Sequence, residues 1–537
     1  MVESRRAMNP SGGPSFSDSW RARWLRRGAA AVAMLAVGLL LRAEHLSDWD
    51  SWDYAALAIH GHTSGLCLGR WWYIAAMRAA WGVGHALFGL DPLQGHLAMQ
   101  AAGGLAMAGA VVVGMAWTYR LTRSVAAEAL FAIVIVLGPT FGVYCCAVMT
   151  EALTLLMLGL AFAAWEQATV GRGSLAWAVA AGLAFGAMID MREPAALLCA
   201  WPIVSCLVGG PPRRWRLLGA AFAAAALSLG AGVVGAAAWT PAGWQGYAGS
   251  VGAWIDAMAD ERELIGMSLL LNLRYLLLWM TLGGAVTLAA LGPATVWALL
   301  RRRRMFWLSV SLVPYLLGLL LNHDLSVNPR FILPLMYVAA PVVAAAAAAL
   351  LSQPAWRRHF SPGRTVAAAA LVCGALFAVQ WRMAHWFFMG YAEGQCRLYR
   401  AVEALPHKAV VVGGPATPMV GYLNRLGGRH LRNIPSGWYW PRGRLAEHLD
   451  KWMRRGRPVF ANLHPGYWCS EDHKSGEWDE LQAVAKFYRR RAGPWPFEQL
   501  LPRVGTTART RPSAPDEPAT QPSTSAEAHY RARGERP

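Results

Sequence analysis

Between residues 28 and 385 the chain is a succession of apolar runs, and no other feature restricts its fold so tightly. Runs fall at 28–42, 95–117, 125–144, 147–167, 174–190, 194–209, 216–239, 274–300, 305–322, 331–351 and 364–385, about eleven in all. Most approach the roughly 17 to 25 residues that a helix needs to cross hydrocarbon. Only 15% of the 537 residues are charged and mean hydropathy is +0.29, against about 25% charged in an average globular chain. The expected fold class is a polytopic α-helical membrane protein with about 11 transmembrane helices. The formal net charge of +19 would suggest nucleic acid in a soluble protein. Here the basic residues cluster between apolar runs, the pattern of cytoplasmic loops, and a nucleic-acid role is excluded.

Lys and Arg in the short loops set the expected orientation. Arg5, Arg6, Arg21, Arg23, Arg26 and Arg27 precede the first run, placing the N-terminus in the cytoplasm. Eleven crossings then bring Arg120 with Arg123, Arg213 with Arg214 and Arg216, Arg301 to Arg304, and Arg357 with Arg358 to that same side. No small-residue cleavage site follows the first run, so it reads as a retained helix and not a signal peptide.

This division gives a basic cytoplasmic N-terminus over 1–27, a transmembrane domain over 28–385 with a long first outer loop over 43–94, and an outer domain over 386–505. In the outer domain, Lys408 to Val412 reads as a buried strand ending in a turn at Gly413-Gly414-Pro415. Arg457 to Asn462 reads as a second strand and Arg444 to Arg455 as an amphipathic helix, the makings of a small α/β extracytoplasmic unit. Residues 506–537 have the composition of a disordered tail. Cys396 and Cys469 both fall in the outer domain, where an oxidising compartment would allow them to pair.

With the chain threaded, its ionisable residues sort by side. Asp48, Asp50 and Asp53, in Ser47-Asp48-Trp49-Asp50-Ser51-Trp52-Asp53-Tyr54, lie in the first outer loop. Glu151 starts the fourth helix on the outer side; Asp190, Arg192 and Glu193 mark the third outer connection. Asp256, Asp260 to Glu263, His323, Asp324 and Arg330 occupy the later ones. Charges at membrane depth cost at least a few kcal/mol and usually face a polar cavity or a partner, so several at one level predict a cavity opening outward. Asp50 or Asp53 could equally cap the following helix, Arg330 could be a snorkelling anchor, and Glu151 could pair structurally with Arg192. Arg70 to Trp81, aromatic and basic, suits a helix in the headgroup layer.

Four local patterns, in order, resemble the GT-C superfamily of integral-membrane glycosyltransferases, in particular the branch of lipid A aminoarabinose transferases and protein O-mannosyltransferases. Asp50-Ser51-Trp52-Asp53-Tyr54-Ala55-Ala56-Leu57-Ala58 resembles that family's first-loop D-x-x-x-Y-x-x-x-A, whose acidic residue is catalytic. Thr150-Glu151-Ala152-Leu153 resembles an acidic helix start, Arg192-Glu193-Pro194 an R-x-P, and Arg330-Phe331-Ile332-Leu333-Pro334 an R-[YF]-x-L-P. Three aspartates stand where the family uses one acidic position, and no strong D-E pair occurs.

The resemblance implies a hexosyl- or pentosyltransferase at the outer face of a bacterial inner membrane, with the C-terminal domain periplasmic. It would move a sugar from a polyprenyl-phosphate donor to a hydroxyl or phosphate on a lipid, glycan or protein acceptor. The reaction needs a carboxylate to take the acceptor proton, with Asp50 first in order, then Asp53, then Asp48, and Glu151 alongside. It needs fixed cations for the phosphate, Arg330 first, then Arg192, with Arg274 more remote. No cofactor is required and no metal ligand set stands out, though a divalent metal is compatible with so many carboxylates; His323-Asp324 is the one adjacent pair. No phosphate-cradling G-x-x-x-x-G-K-[ST] occurs. The competing expectation is a polytopic transporter or a flippase for lipid-linked sugars.

Overall fold

A computed structural model describes residues 20–60, 70–169, 174–208, 213–240, 243–249, 251–252, 269–278, 292–322, 325, 329–354, 371, 374–375, 378–379, 381–382, 389–413, 416–434, 444–465 and 477–502. The first apolar run lies in α1 (Trp20–Leu40), which starts further upstream than the run itself. Two helices, α2 (Trp49–His60) and α3 (Trp71–Phe88), occupy the first outer loop. Then come α4 (Gly95–Thr122), α5 (Val125–Leu137), α6 (Pro139–Cys145), α7 (Glu151–Thr169), α8 (Leu175–Met191), α9 (Ala200–Leu207) and α10 (Arg213–Trp239).

Local chemistry explains the boundaries. Asp91 and Gln94 form a reciprocal capping box just before α4, satisfying backbone N–H groups that a helix start leaves without partners. Arg123 takes the left-handed conformation (φ 55°) that ends α4, and Ser124 then caps α5 by accepting from the Ala127 N–H. Gly138-Pro139 divides the run expected over 125–144 into α5 and α6, because proline clashes with a helix behind it. The run expected from 147 becomes helical only at Glu151. The expected break at Arg192-Glu193-Pro194 is present, followed by a 3-10 segment over Glu193–Cys199.

Among the described residues five helical stretches are long and apolar enough to span a membrane: Pro92–Thr122, Glu151–Thr169, Arg213–Trp239, Arg303–Leu321 and Arg330–Leu351. Val125–Leu137, Leu175–Met191 and Glu193–Leu207 are apolar but shorter. This is a multi-pass membrane architecture, and the described residues do not confirm the count of eleven spans. The runs at 274–300 and 364–385 fall largely outside the described residues. The tightest helix pair is α8 with α10. A Cβ at Gly182 or Gly186 would strike the Ala221 or Ala225 carbonyl oxygen, so this G-x-x-x-G lets two backbones approach as small-residue seams do in membranes.

The outer domain carries a five-stranded sheet: β1 (Val410–Val412), β2 (Arg432–Ile434), β3 (Val459–Asn462), β4 (Arg489–Ala492) and β5 (Phe497–Leu501), in the order β2-β1-β3-β5-β4. β1 runs parallel to β2 and β3, while β5 is antiparallel to β3 and β4. The expected strands and the amphipathic helix (Leu445–Arg454) are present. Side chains alternate across the sheet. Val410, Val412 and Val459 pack into a core of the domain's own, whereas Val411, Phe460 and Phe497 join the core of the membrane bundle. That sheet face thus belongs to a core continuous with the bundle's, and the domain's helix Thr417–Leu426 packs along α2. Cys396 is buried in the helix Gly390–Glu403; Cys469 lies outside the described residues.

Candidate active site

Five of the ionisable residues singled out in the sequence meet at one end of the bundle, where α2 and α7 begin and α8 ends. Arg330 sits in the 3-10 turn Pro329–Ile332 that leads into the helix Leu333–Leu351. Its Nη1 donates to Asp48 Oδ2 at 3.0 Å and its Nη2 to Asp50 Oδ2 at 2.8 Å. Its Nε lies 3.6 Å from Glu151 Oε1. Three carboxylates thus share one guanidinium, whose planar fork suits bridging two acceptors.

Each partner is held by its own element. Asp48 accepts from the Asp50 N–H at 3.2 Å and exchanges bonds with Ser51, whose hydroxyl donates to the Asp48 carbonyl. Asp48 is thus the residue that caps α2, while Asp50 in the first turn gains from the helix N-terminus. Arg70, just before α3, reaches Asp50 Oδ2 at 3.9 Å and lies over the Tyr54 ring. Glu151, 1% exposed at the start of α7, accepts from Arg192 Nη1, which also donates to Thr150 Oγ1 at 3.4 Å. The Arg192 guanidinium stacks over Phe331 at 4.1 Å, so the residue after Arg330 backs its neighbouring cation. Tyr315 steadies that turn by donating to the Phe331 carbonyl at 2.7 Å.

The cluster is buried but not closed. Arg192 and Arg330 are 3% and 9% exposed, whereas the Asp48 and Asp50 side chains keep 23% and 24% of their surface open. Burial raises the Asp48 carboxyl above the ordinary aspartate range, with the Arg330 charge opposing that rise. Among the described residues Arg192 Nε and Nη2 and Glu151 Oε2 are buried without a hydrogen-bond partner. Such orphaned groups are costly and leave capacity for an anion or a hydroxyl. A cavity of about 40 Å³ opens beside Asp48, lined also by His45, Gln100 and Tyr144.

Asp53 is 8% exposed and one turn further along α2, and the carboxylates paired with Arg330 are those of Asp48, Asp50 and Glu151. Asp190 lies apart from them: it accepts from the Trp72 N–H at 2.9 Å and holds the first turn of α3. Arg274 is exposed on the helix Leu269–Leu278. Asp256, Asp260 to Glu263, His323 and Asp324 lie outside the described residues. Arg70 is the member that sequence reading passed over, because it stands among the aromatic residues of a loop helix. Among the described residues no three His, Cys, Asp or Glu side chains converge to hold a metal ion; the carboxylates here converge on a guanidinium.

The chain's sequence matches no family model and no curated protein. Its structure does match solved ones. The apo oligosaccharyltransferase of Archaeoglobus fulgidus aligns with a TM-score of 0.57 at 12% identity, over 89% of this chain and 74% of that one. The same organism's AglB, in complex with an inhibitory peptide and a dolichol-phosphate, aligns at 0.53 and 12% identity, over 91% and 76%. ArnT from Cupriavidus metallidurans in the apo state gives 0.49 at 16% identity, over 90% and 98%. Carried by the two oligosaccharyltransferase structures, the comparison establishes that this chain shares the fold of those archaeal membrane proteins.

Proposed function

We propose that the protein is a membrane glycosyltransferase that moves a sugar from a polyprenyl-phosphate donor to an acceptor hydroxyl or phosphate at the outer face of the membrane. The observation that carries this reading is Arg330, bridging Asp48 and Asp50 at a half-open mouth beside the Arg192–Glu151 pair. Cations suited to a departing phosphate stand within one side chain of carboxylates suited to accept a proton. A structure sharing the fold was solved with a dolichol-phosphate, which is consistent with a lipid-phosphate donor.

The acceptor oxygen attacks the anomeric carbon, the bond from that carbon to the phosphate oxygen breaks, and its electron pair leaves on the lipid phosphate. Asp50 takes the acceptor proton. Arg330 and the unpartnered N–H groups of Arg192 stabilise the phosphate charge as it develops. Arg330 and Asp50 neutralise one another before the donor arrives. An incoming phosphate competes for the guanidinium, and each oxygen it takes releases carboxylate capacity at Asp50. Donor binding and activation of the base are thereby linked. Asp48, tied to the cap of α2, keeps Arg330 in place during the exchange. A structure of the same fold was solved with Zn and sulfate; among the described residues no three such ligands converge, and a divalent metal is compatible with the carboxylates present.

The test is incorporation of labelled sugar from polyprenyl-phosphate donors by the purified protein, comparing wild type with Asp50→Asn. Loss of transfer in the variant supports the assignment, while undiminished transfer removes Asp50 from the reaction. Passage of lipid-linked sugar across vesicles without any transfer would favour a flippase.

A further inference from the structure

The backbone that carries Asp48 and Asp50 is gripped on both sides by the outer domain. His45, between α1 and α2, stacks on Tyr399 with centroids 4.3 Å apart and on Trp52 at 5.0 Å, and its ring lies 4.0 Å from that of His96. Trp52 in turn stacks on Tyr399 at 4.9 Å and meets Tyr422 edge-on at 5.2 Å. Both tyrosines belong to the outer domain, Tyr399 on the helix Gly390–Glu403 and Tyr422 on the helix Thr417–Leu426. Tyr422 also donates to the Leu93 carbonyl at 3.1 Å, and Arg400 pairs with Glu44. His45 and Trp52 bracket the two aspartates in the chain, so whatever holds the rings holds the carboxylates.

Resting on the reading of Asp50 as the base, we propose that the His45–Trp52–Tyr399–Tyr422 box is a positioning device through which docking of the outer domain aligns Asp48 and Asp50 on Arg330, and that acidification releases it. His45 Nδ1 accepts from the Leu46 N–H at 2.8 Å, which requires that nitrogen to be unprotonated. The groups around the ring disfavour a second proton. His96 bonds the Leu93 carbonyl through Nδ1; Glu44 is engaged by Arg400; and Arg400 itself, with Arg42 beside His96, adds positive charge. Cys396, Tyr399 and Tyr422 face the site as neutral groups; of the remaining acids nearby, Glu403 acts on the two tyrosines, Asp91 on the tyrosines and His96, and Glu393 on Cys396. Burial, then His96 and Arg400, push the His45 imidazole down to about 3.

The sign follows from linkage. A released His45 would titrate at about 6.5, so protons bind the undocked state and not the docked one. Docking is at full strength above about pH 6.5 and weakens by up to about tenfold for each pH unit below it, until pH reaches the docked value near 3.

The test uses the full-length purified protein between pH 5 and 8, with two readouts. Hydrogen exchange in the helix Thr417–Leu426 reports docking whether or not transfer is observed; transfer kinetics report alignment. Protection should fall with pH below about 6.5 in wild type and fall much less in His45→Phe, which keeps an aromatic ring without its titrating group. Tyr399→Ala should cut kcat about tenfold or more with the donor KM within about twofold, and Tyr399→Phe should restore it. Protection independent of pH, the same acid limb in His45→Phe, or a wild-type kcat in Tyr399→Ala would each overturn the device. Acid release of the helix without transfer from any donor would sustain the docking switch and sink the transferase reading instead.

Discussion

Buried ion pairs occupy both ends of the helical bundle, and they are built differently. At one end Glu128, fully buried at the start of α5, pairs with Arg27 at 2.6 Å and Arg26 at 3.5 Å. Glu166 near the end of α7 pairs with Arg304, at the start of the helix Arg303–Val310. Each of these two carboxylates is buried, 0% and 3% exposed, and ties one helix to another. At the other end, where α2 and α7 begin, three carboxylates share Arg330, and two of them remain about a quarter exposed. At the Glu128 and Glu166 end each guanidinium serves a single carboxylate, and the exposed surface there belongs to the cations, 31% for Arg26 and 43% for Arg304. The shared guanidinium keeps two carboxylates when a third is displaced, which in the proposed reaction is the room a donor phosphate would take. Residue types are the same at both ends, and the stoichiometry and opening set their tasks.

Substitutions at the two ends should therefore separate stability from transfer. The largest effect belongs to Arg330→Met, which takes a cation from three carboxylates and leaves Asp48 with none, since Glu151 keeps Arg192 and Asp50 keeps Arg70. Breaking buried pairs costs about 3–5 kcal/mol, so thermal unfolding should drop sharply and sugar transfer should vanish; transfer persisting in a folded variant would break the contrast. Asp50→Asn comes next. Losing a general base lowers kcat by about 10²- to 10⁴-fold, while unfolding temperature should move little, because Asn still accepts from Arg330. Glu128→Gln reverses the pattern. It weakens the pairs to Arg26 and Arg27 and should destabilise by about 2 kcal/mol, with kcat for the remaining folded protein unchanged. The smallest effect is expected from Ser124→Ala. Removing the cap of α5 costs about 1 kcal/mol and should leave transfer untouched, a difference scanning calorimetry can resolve beside an activity assay.

Much of the outer cluster is legible in the sequence because each member stands where an apolar run meets a polar residue. Glu151 opens α7, Arg192 follows α8 and Arg330 precedes the helix Leu333–Leu351. Threading the runs through a bilayer brings all three to one side with no knowledge of packing. Choosing among the three aspartates is beyond that reasoning. Asp48 as cap and Asp50 in the first turn point together at Arg330, whereas Asp53 takes the next position round α2. That phase depends on where the helix starts, and boundaries are the least certain part of a sequence reading. Arg70 escapes for a different reason: α3 must be anchored before its leading residue can be placed, and the anchor is Asp190, 118 residues away. The division of long runs was only partly foreseeable. Pro139 and Pro194 announce their breaks, but the turn before Glu151 has no such residue.

Hydropathy alone determined that this chain is a helical membrane protein with its charges gathered at run ends, because hydrocarbon admits only backbones that satisfy their own hydrogen bonds. Local composition likewise determined the strands Val410–Val412 and Val459–Asn462 of the outer domain. The tertiary structure decided which charges touch, that Arg330 serves three carboxylates, and that Tyr399 and Tyr422 close on His45 and Trp52. Contacts of this kind join residues hundreds of positions apart. Their geometry follows from how helices cross, and crossing is set by all the packed side chains together rather than by any one stretch of chain.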